Sequence, residues 1–222
     1  MNPPFTTGQF LGVIGRYNAA VWPAQILFYL LAGLMIYWAT RASRTADRQV
    51  SLLLAFFWAW MGIVYHWIFF TSINPAAWVF GVLFVVQALV FLRAGVTEDR
   101  LRFRFRRDAY GLTGAVFLGY ALILYPLLGA REGHPYPYGP TVGLPCPTTI
   151  ATFGLLVWAS GRVPLRVAVI PLLWSLIGAS AAFQFGIRED YGLLVAGVLG
   201  TVMIVVKNRR LPQVERREVI AA

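Results

Sequence analysis

The stretch Tyr65-His66-Trp67-Ile68-Phe69-Phe70-Thr71-Ser72-Ile73-Asn74-Pro75-Ala76-Ala77-Trp78 joins two very apolar segments through a short polar turn, and its reading decides the solvent for the whole chain. Its flanks, 50–72 and 77–94, are each near the length that crosses a hydrocarbon core of roughly 30 Å. So short a connection makes them antiparallel neighbours. Composition agrees: 59% of the 222 residues are hydrophobic and 13% charged, with the charges confined to gaps between apolar runs. The fold class expected is therefore an all-α integral membrane helical bundle, with almost nothing left for a soluble domain.

Outward from this hairpin, residues 1–16 read as an interfacial N-terminal arm with interleaved glycines. A first span covers 17–39, with Pro23 in its first turns, where proline disturbs a helix least. A basic loop with Arg41, Arg44 and Arg48 leads into 50–72. After 77–94 comes a run in which Arg100, Arg102, Arg104, Arg106 and Arg107 alternate with Leu101, Phe103 and Phe105. Beside a bilayer this run is expected to lie flat, with its apolar side chains in the interface and its arginines on anionic lipid headgroups. Further spans are read at 110–129, 147–160, 166–185 and 191–206. They are followed by a cytoplasmic basic tail, 207–222, in which Pro212 is expected to stop the last helix. Residues 17–206 thus form one transmembrane domain of seven helices.

Counting by loop, sixteen of the nineteen Lys and Arg residues fall on one side of a seven-span chain, with only Arg16, Arg131 and Arg188 on the other. The positive-inside rule then sets the N-terminus outside and the C-terminus in the cytoplasm. If the short fifth span fails to cross, six spans remain and the basic residues divide between both faces. Sliding the chain by 116 residues aligns 50–93 with 166–209, matching Trp58 with Trp174, Gly62 with Gly178, Gly81 with Gly197 and Asn74 with Asp190. Such a match would make the chain two parallel three-span units joined by the fourth span. Small residues four apart, at Gly111-Ala115-Gly119, Gly178-Ala182-Gly186 and Gly192-Ala196-Gly200, read as helix packing rows.

His66 is the ionisable residue placed deepest in an apolar segment, which makes it a functional candidate by default; a neutral histidine bonded to a neighbouring group is the competing reading. Asn74-Pro75-Ala76 matches the short aquaporin signature, but no second triplet exists, and an N-cap asparagine with proline after it explains the triplet without a pore. The other reactive groups gather opposite the basic loops. His134 and Cys146 lie in the long loop 130–146, Asp190 follows span six, and Gln184 sits near that span's end. Together with His66 and Asn74, His134, Gln184 and Asp190 are expected to line an outer vestibule. Cys146, held between prolines at a helix start, forms with His66 and His134 a candidate set for a soft metal ion, although the spacing is no recognised metal motif. The lone cysteine excludes an intramolecular disulfide. The net charge of +10 follows the membrane segments, which argues against nucleic acid as a partner.

The blocks from Tyr65-His66 to Gly81, from Tyr138-Gly139 to Gly154 and from Ile170-Pro171 to Asp190 resemble a family of bacterial integral membrane proteins known only as a domain of unknown function. The blocks 73–77 and 145–150 carry the resemblance most specifically. It implies a bacterial inner membrane and no activity. The residues themselves point first to a small-solute or metal-ion transporter or channel-like protein. An accessory subunit of a membrane complex, binding partner helices, a second copy or a pigment, is the alternative. A membrane enzyme is the weakest reading, because no acid–base pair or nucleophile motif is legible.

Overall fold

A computed structural model describes residues 5–221, with side chains through 210. The described residues form helices α1 (Thr7–Ala20), α2 (Ala24–Ala39), α3 (Arg44–Ser72), α4 (Ala77–Thr97), α5 (Ala109–Arg131), α6 (Pro145–Trp158), α7 (Arg166–Phe185) and α8 (Tyr191–Ala221). Two-residue strands β1 (Arg102–Phe103) and β2 (Ala159–Ser160) pair antiparallel. Five helical stretches are long and apolar enough to cross a membrane, or six if the bent pair α1–α2 counts as one, so the all-helical membrane class holds.

The first span differs from expectation. Residues 17–39 do not form one helix, because α1 ends at Ala20 and α2 leaves it at 88°. Pro23 has no N–H to donate and disfavours a helical conformation in the residue before it, so it falls in the break instead of a first turn. The elbow is held by Gln25, whose Nε2 donates to the Asn18 carbonyl at 2.8 Å, one of the acceptors a helix end leaves open. α1 starts on a capping box between Thr6 and Gln9 and buries Val13, Ile14 and Tyr17. It packs across one end of the bundle. Arg16 donates to Ser72 Oγ at 3.2 Å, Tyr17 to the Gly143 carbonyl at 3.0 Å, and Asn18 to the Pro137 carbonyl at 2.6 Å. The arm is therefore a cap on the helix ends and extends past residue 16.

The opposite end carries the arginines. Most of the expected loop 41–48 is the first turn of α3, with Ser43 as its N-cap. The run after α4 is not a flat interfacial segment. Leu101 and Phe103 are fully buried in the protein core, and β1 pairs with the end of α6. Four of its arginines meet carboxylates of the chain: Arg100 meets Glu98 (3.6 Å), Arg102 Asp99 (2.6 Å), Arg104 Asp47 (2.9 Å) and Arg106 Asp108 (2.9 Å). Arg107 is exposed. Asp99 is pulled down to about 2, first by the hydrogen bond from Arg102. The Asp99 contribution to stability is therefore full above its ordinary value of 3.8 and fades as pH falls through about 2. Acid titration of the Asp99 carboxyl by NMR should find its midpoint well below the ordinary value, moving up towards it in Arg102→Gln.

α6 is the centre of the bundle. Every residue from Pro147 to Trp158 is buried. At 1.5 Å per residue its fourteen residues reach roughly 21 Å, short of the hydrocarbon core. Loop 132–144, which buries Val142 and Leu144, adjoins one end of the helix, and the β1–β2 pair adjoins the other. The chain thus enters α6 at the end capped by α1 and leaves it at the arginine-rich end. α8 continues past Pro212 to Ala221, because proline deletes only its own bond to the Asn208 carbonyl and the ladder resumes beyond it. Side chains of the tail beyond 210, Arg216 and Arg217 among them, lie outside the described residues.

The small-residue rows divide by what they face. In Gly192-Ala196-Gly200 all three positions are in the packing: a methyl on Gly192 would meet Tyr120, one on Gly200 would meet Phe153, and Ala196 is buried. Gly119 and Gly186 have open space around them, and Gly186 ends α7 in the left-handed region at φ 70°. On α5 the close helix contact is at Gly114, opposite Gly154 of α6, whereas a methyl on Gly111 would meet the Arg106 backbone just before the helix.

Candidate functional site

At the α1 end of the bundle lies a mostly apolar cavity of about 170 Å³. Phe5, Phe10 and Phe70 wall it from one side, and α7 walls it from the other with Trp174, Ile177 and Phe185. Phe5 and Phe10 stack on Phe185 with ring centroids 5.0 and 6.0 Å apart, joining the two walls.

Polar groups converge on the floor. Asp190, 3% exposed, accepts a short hydrogen bond from the Tyr125 hydroxyl. The Cys146 thiol adjoins both groups and Trp174. Trp174 Nε1 is buried and has no partner among the described residues. Asp190 follows span six and is expected in an outer turn. Loop 132–144 folds over that turn and buries it, so the carboxylate sits in apolar surroundings all the same. Cys146, at the start of α6, faces a carboxylate, not a cation.

The expected vestibule residues separate into two groups. Asn74, Gln184 and Asp190 line the cavity. Asn74 does not cap α4; its Oδ1 accepts from Ala76 N at 3.0 Å in a local turn, and α4 begins only at Ala77. His134 belongs to the covering loop, where its Nδ1 lies 3.0 Å from Glu189 Oε1. Glu189 is fully buried, its backbone carbonyl accepts from Tyr120 at 2.7 Å, and its Oε2 has no partner among the described residues. This contact fastens the loop over the α7–α8 turn. The equivalence of Asn74 with Asp190 as helix caps is absent, since neither side chain caps its helix.

His66 stands outside the cavity wall, fully buried, in a π-helical turn over Met61–Phe69. Five aromatic rings surround it, the nearest being Phe84 at 4.6 Å and Trp174 at 5.1 Å, and neither ring nitrogen has a partner among the described residues. π-turns of this kind occur mostly where an α-helix is adapted to function. His66, His134 and Cys146 are not gathered, and no group of three His, Cys, Asp or Glu side chains among the described residues is arranged to hold a metal ion. The sequence marks Trp174 only as the counterpart of Trp58 in the internal match, and does not mark Tyr125 as a site residue. The one signal for Tyr125 was a hydroxyl next to Pro126 inside an apolar span.

The chain belongs to a family of unknown function, DUF6064, which matches residues 7–216. No curated protein and no solved structure matches it.

Proposed function

We propose that this member of the family crosses a bacterial inner membrane seven times, N-terminus outside, and carries a small, weakly polar solute that enters the Asp190 cavity from the outer face. The observation that carries the reading is the cavity floor, where a buried carboxylate, a thiol and an unsatisfied indole N–H face an otherwise apolar space. Nothing in the packing alone requires this grouping, and an apolar pocket with a few convergent polar groups is the usual form of a small-molecule site. The carboxylate favours a cationic or hydrogen-bond-donating solute. The clustering of Lys and Arg at the β1–β2 end supports the orientation, and the passage of α6 from end to end supports the seventh crossing.

Below the floor the bundle is packed, with His66, Phe84 and Trp174 in mutual contact. Passage therefore needs Trp174 to move, and the free nitrogens of His66 lie directly behind it. Two π-helical turns, Met61–Phe69 and Tyr120–Leu124, adjoin the cavity residues Tyr65 and Tyr125 and offer places where helix register can shift.

Because Cys146 is the chain's single cysteine and lines the cavity, it reports on the site directly. A small cationic methanethiosulfonate added to intact cells should modify it faster than the anionic analogue of the same size. Asp190→Asn should remove that preference, and a small amphipathic amine should slow the reaction. Modification only from the cytoplasmic face, or equal rates with both reagents, would refute the proposal.

A further inference from the structure

At the other end of the molecule a groove of about 700 Å³ is bordered by Arg100, Arg162, Arg166 and Arg209, with Leu165 and Val205 on its apolar side. We infer that this groove binds a phosphate group. Four arginines line one concave surface, two of them sharing Glu98 and two without a carboxylate partner among the described residues, and the planar fork of arginine matches phosphate oxygens in pairs. The groove also holds the start of the twenty-residue helix α7, whose positive end adds to the attraction.

The site is built on a fixed frame. Asn208 of α8 accepts from Val163 N at 2.9 Å and donates to Val163 O at 2.7 Å, locking the turn before α7 to the end of the apolar part of α8. Arg162 and Arg209, each next to one partner of that clamp, are thereby held near each other. Neither has a carboxylate partner among the described residues. Arg100 and Arg166 share Glu98, which Arg93 also meets at 2.8 Å. One carboxylate thus faces three arginines, which leaves a surplus of positive charge towards the groove. The arginines that reach outward here are Arg162 and Arg209, and the alternating run 100–107 is mostly spent on internal ion pairs. The partly exposed Leu165 and Val205 beside the cationic wall suit an amphipathic carrier of the phosphate.

The test uses the full-length protein in phosphatidylcholine nanodiscs. Phosphatidic acid is doped into the discs in one arm, and inorganic phosphate is added to the buffer in the other. Native mass spectrometry counts retained lipid, and thermal unfolding follows protection by either ligand. Arg162→Gln/Arg209→Gln should weaken retention or protection by about tenfold, the equivalent of one charge-assisted hydrogen bond. Arg107→Gln/Arg210→Gln, which removes the same charge at the same end from exposed side chains outside the groove, should change it little. An effect confined to phosphatidic acid identifies a lipid-borne phosphate, and protection by inorganic phosphate identifies a soluble one. No difference between the two double variants, or no response to either ligand, overturns the inference.

Discussion

Asp47→Ala is expected to lower the unfolding free energy by about 3 kcal/mol or more, the usual consequence of removing one partner from a buried charged pair. Asp47 is fully buried in the first turn of α3, where it accepts from Phe103 N at 2.8 Å and from Arg104 Nη1 at 2.9 Å. Arg102 Nε stands 3.9 Å from its other oxygen. One carboxylate thus satisfies a strand N–H and neutralises the wall against which β1 is laid. Alanine would strand the Phe103 amide and leave Arg104 half-buried without its counter-ion. Asparagine keeps an acceptor for Phe103 and should lose roughly half as much. Unfolding by SDS titration in mixed micelles reads both variants. A loss below about 1 kcal/mol for alanine would mean that water already screens the pair as it does at exposed sites.

The second large effect is expected at Gly114. A Cβ there would lie 2.4 Å from the Trp158 ring and 2.6 Å from the Gly154 carbonyl. The carbonyl belongs to the facing helix backbone and cannot swing aside. Trp158 also donates to the Gly111 carbonyl at 2.8 Å, so displacing the indole breaks a buried hydrogen bond. Gly114→Val should therefore destabilise by about 3 kcal/mol, combining overpacking with that loss. Gly119→Ala, five residues on with nothing within 4 Å, should be neutral or stabilising by up to about 1 kcal/mol through helix propensity. Equal losses in the same SDS titration would show that α5 and α6 do not approach at Gly114.

The contrast between these two glycines also shows what was legible in the sequence. Length and hydropathy mark the helices around the 65–78 turn and the spans at 109–131 and 166–185 to within a few residues, because a bilayer imposes a single length scale. The rows of small residues are visible too, but their faces are not. Gly111-Ala115-Gly119 has the right spacing, and the contact runs instead through Gly114, since helix rotation is set by neighbours and not by the repeat itself. Asp190 is legible as a site residue, but the burial of Asp47, Glu189 and Asp190 is not, for a related reason. Each lies at a helix end, where hydropathy reads polar residues as loop, and each is buried only because another segment folds over it. His66 was visible by its type, yet its surroundings were not, because a ring of aromatics from α3, α4 and α7 is a tertiary fact. The α1–α2 elbow turned on Pro23, which a helix tolerates in its first turn and not later, so its effect depended on a helix start that hydropathy does not locate.

The central position of α6 bears on how the molecule is made. A segment of fourteen residues that includes Thr148, Thr149 and Thr152 has little claim on the lipid when it leaves the ribosome alone. Two of its threonines find partners inside the protein, Thr148 with the Gly143 amide and Thr152 with Trp58. The helices that shelter it on one side, α7 and α8, are synthesised after it. Burial of α6 is therefore complete only once its successors have been made, and folding passes through a stage in which the most protected helix of the bundle is still partly uncovered.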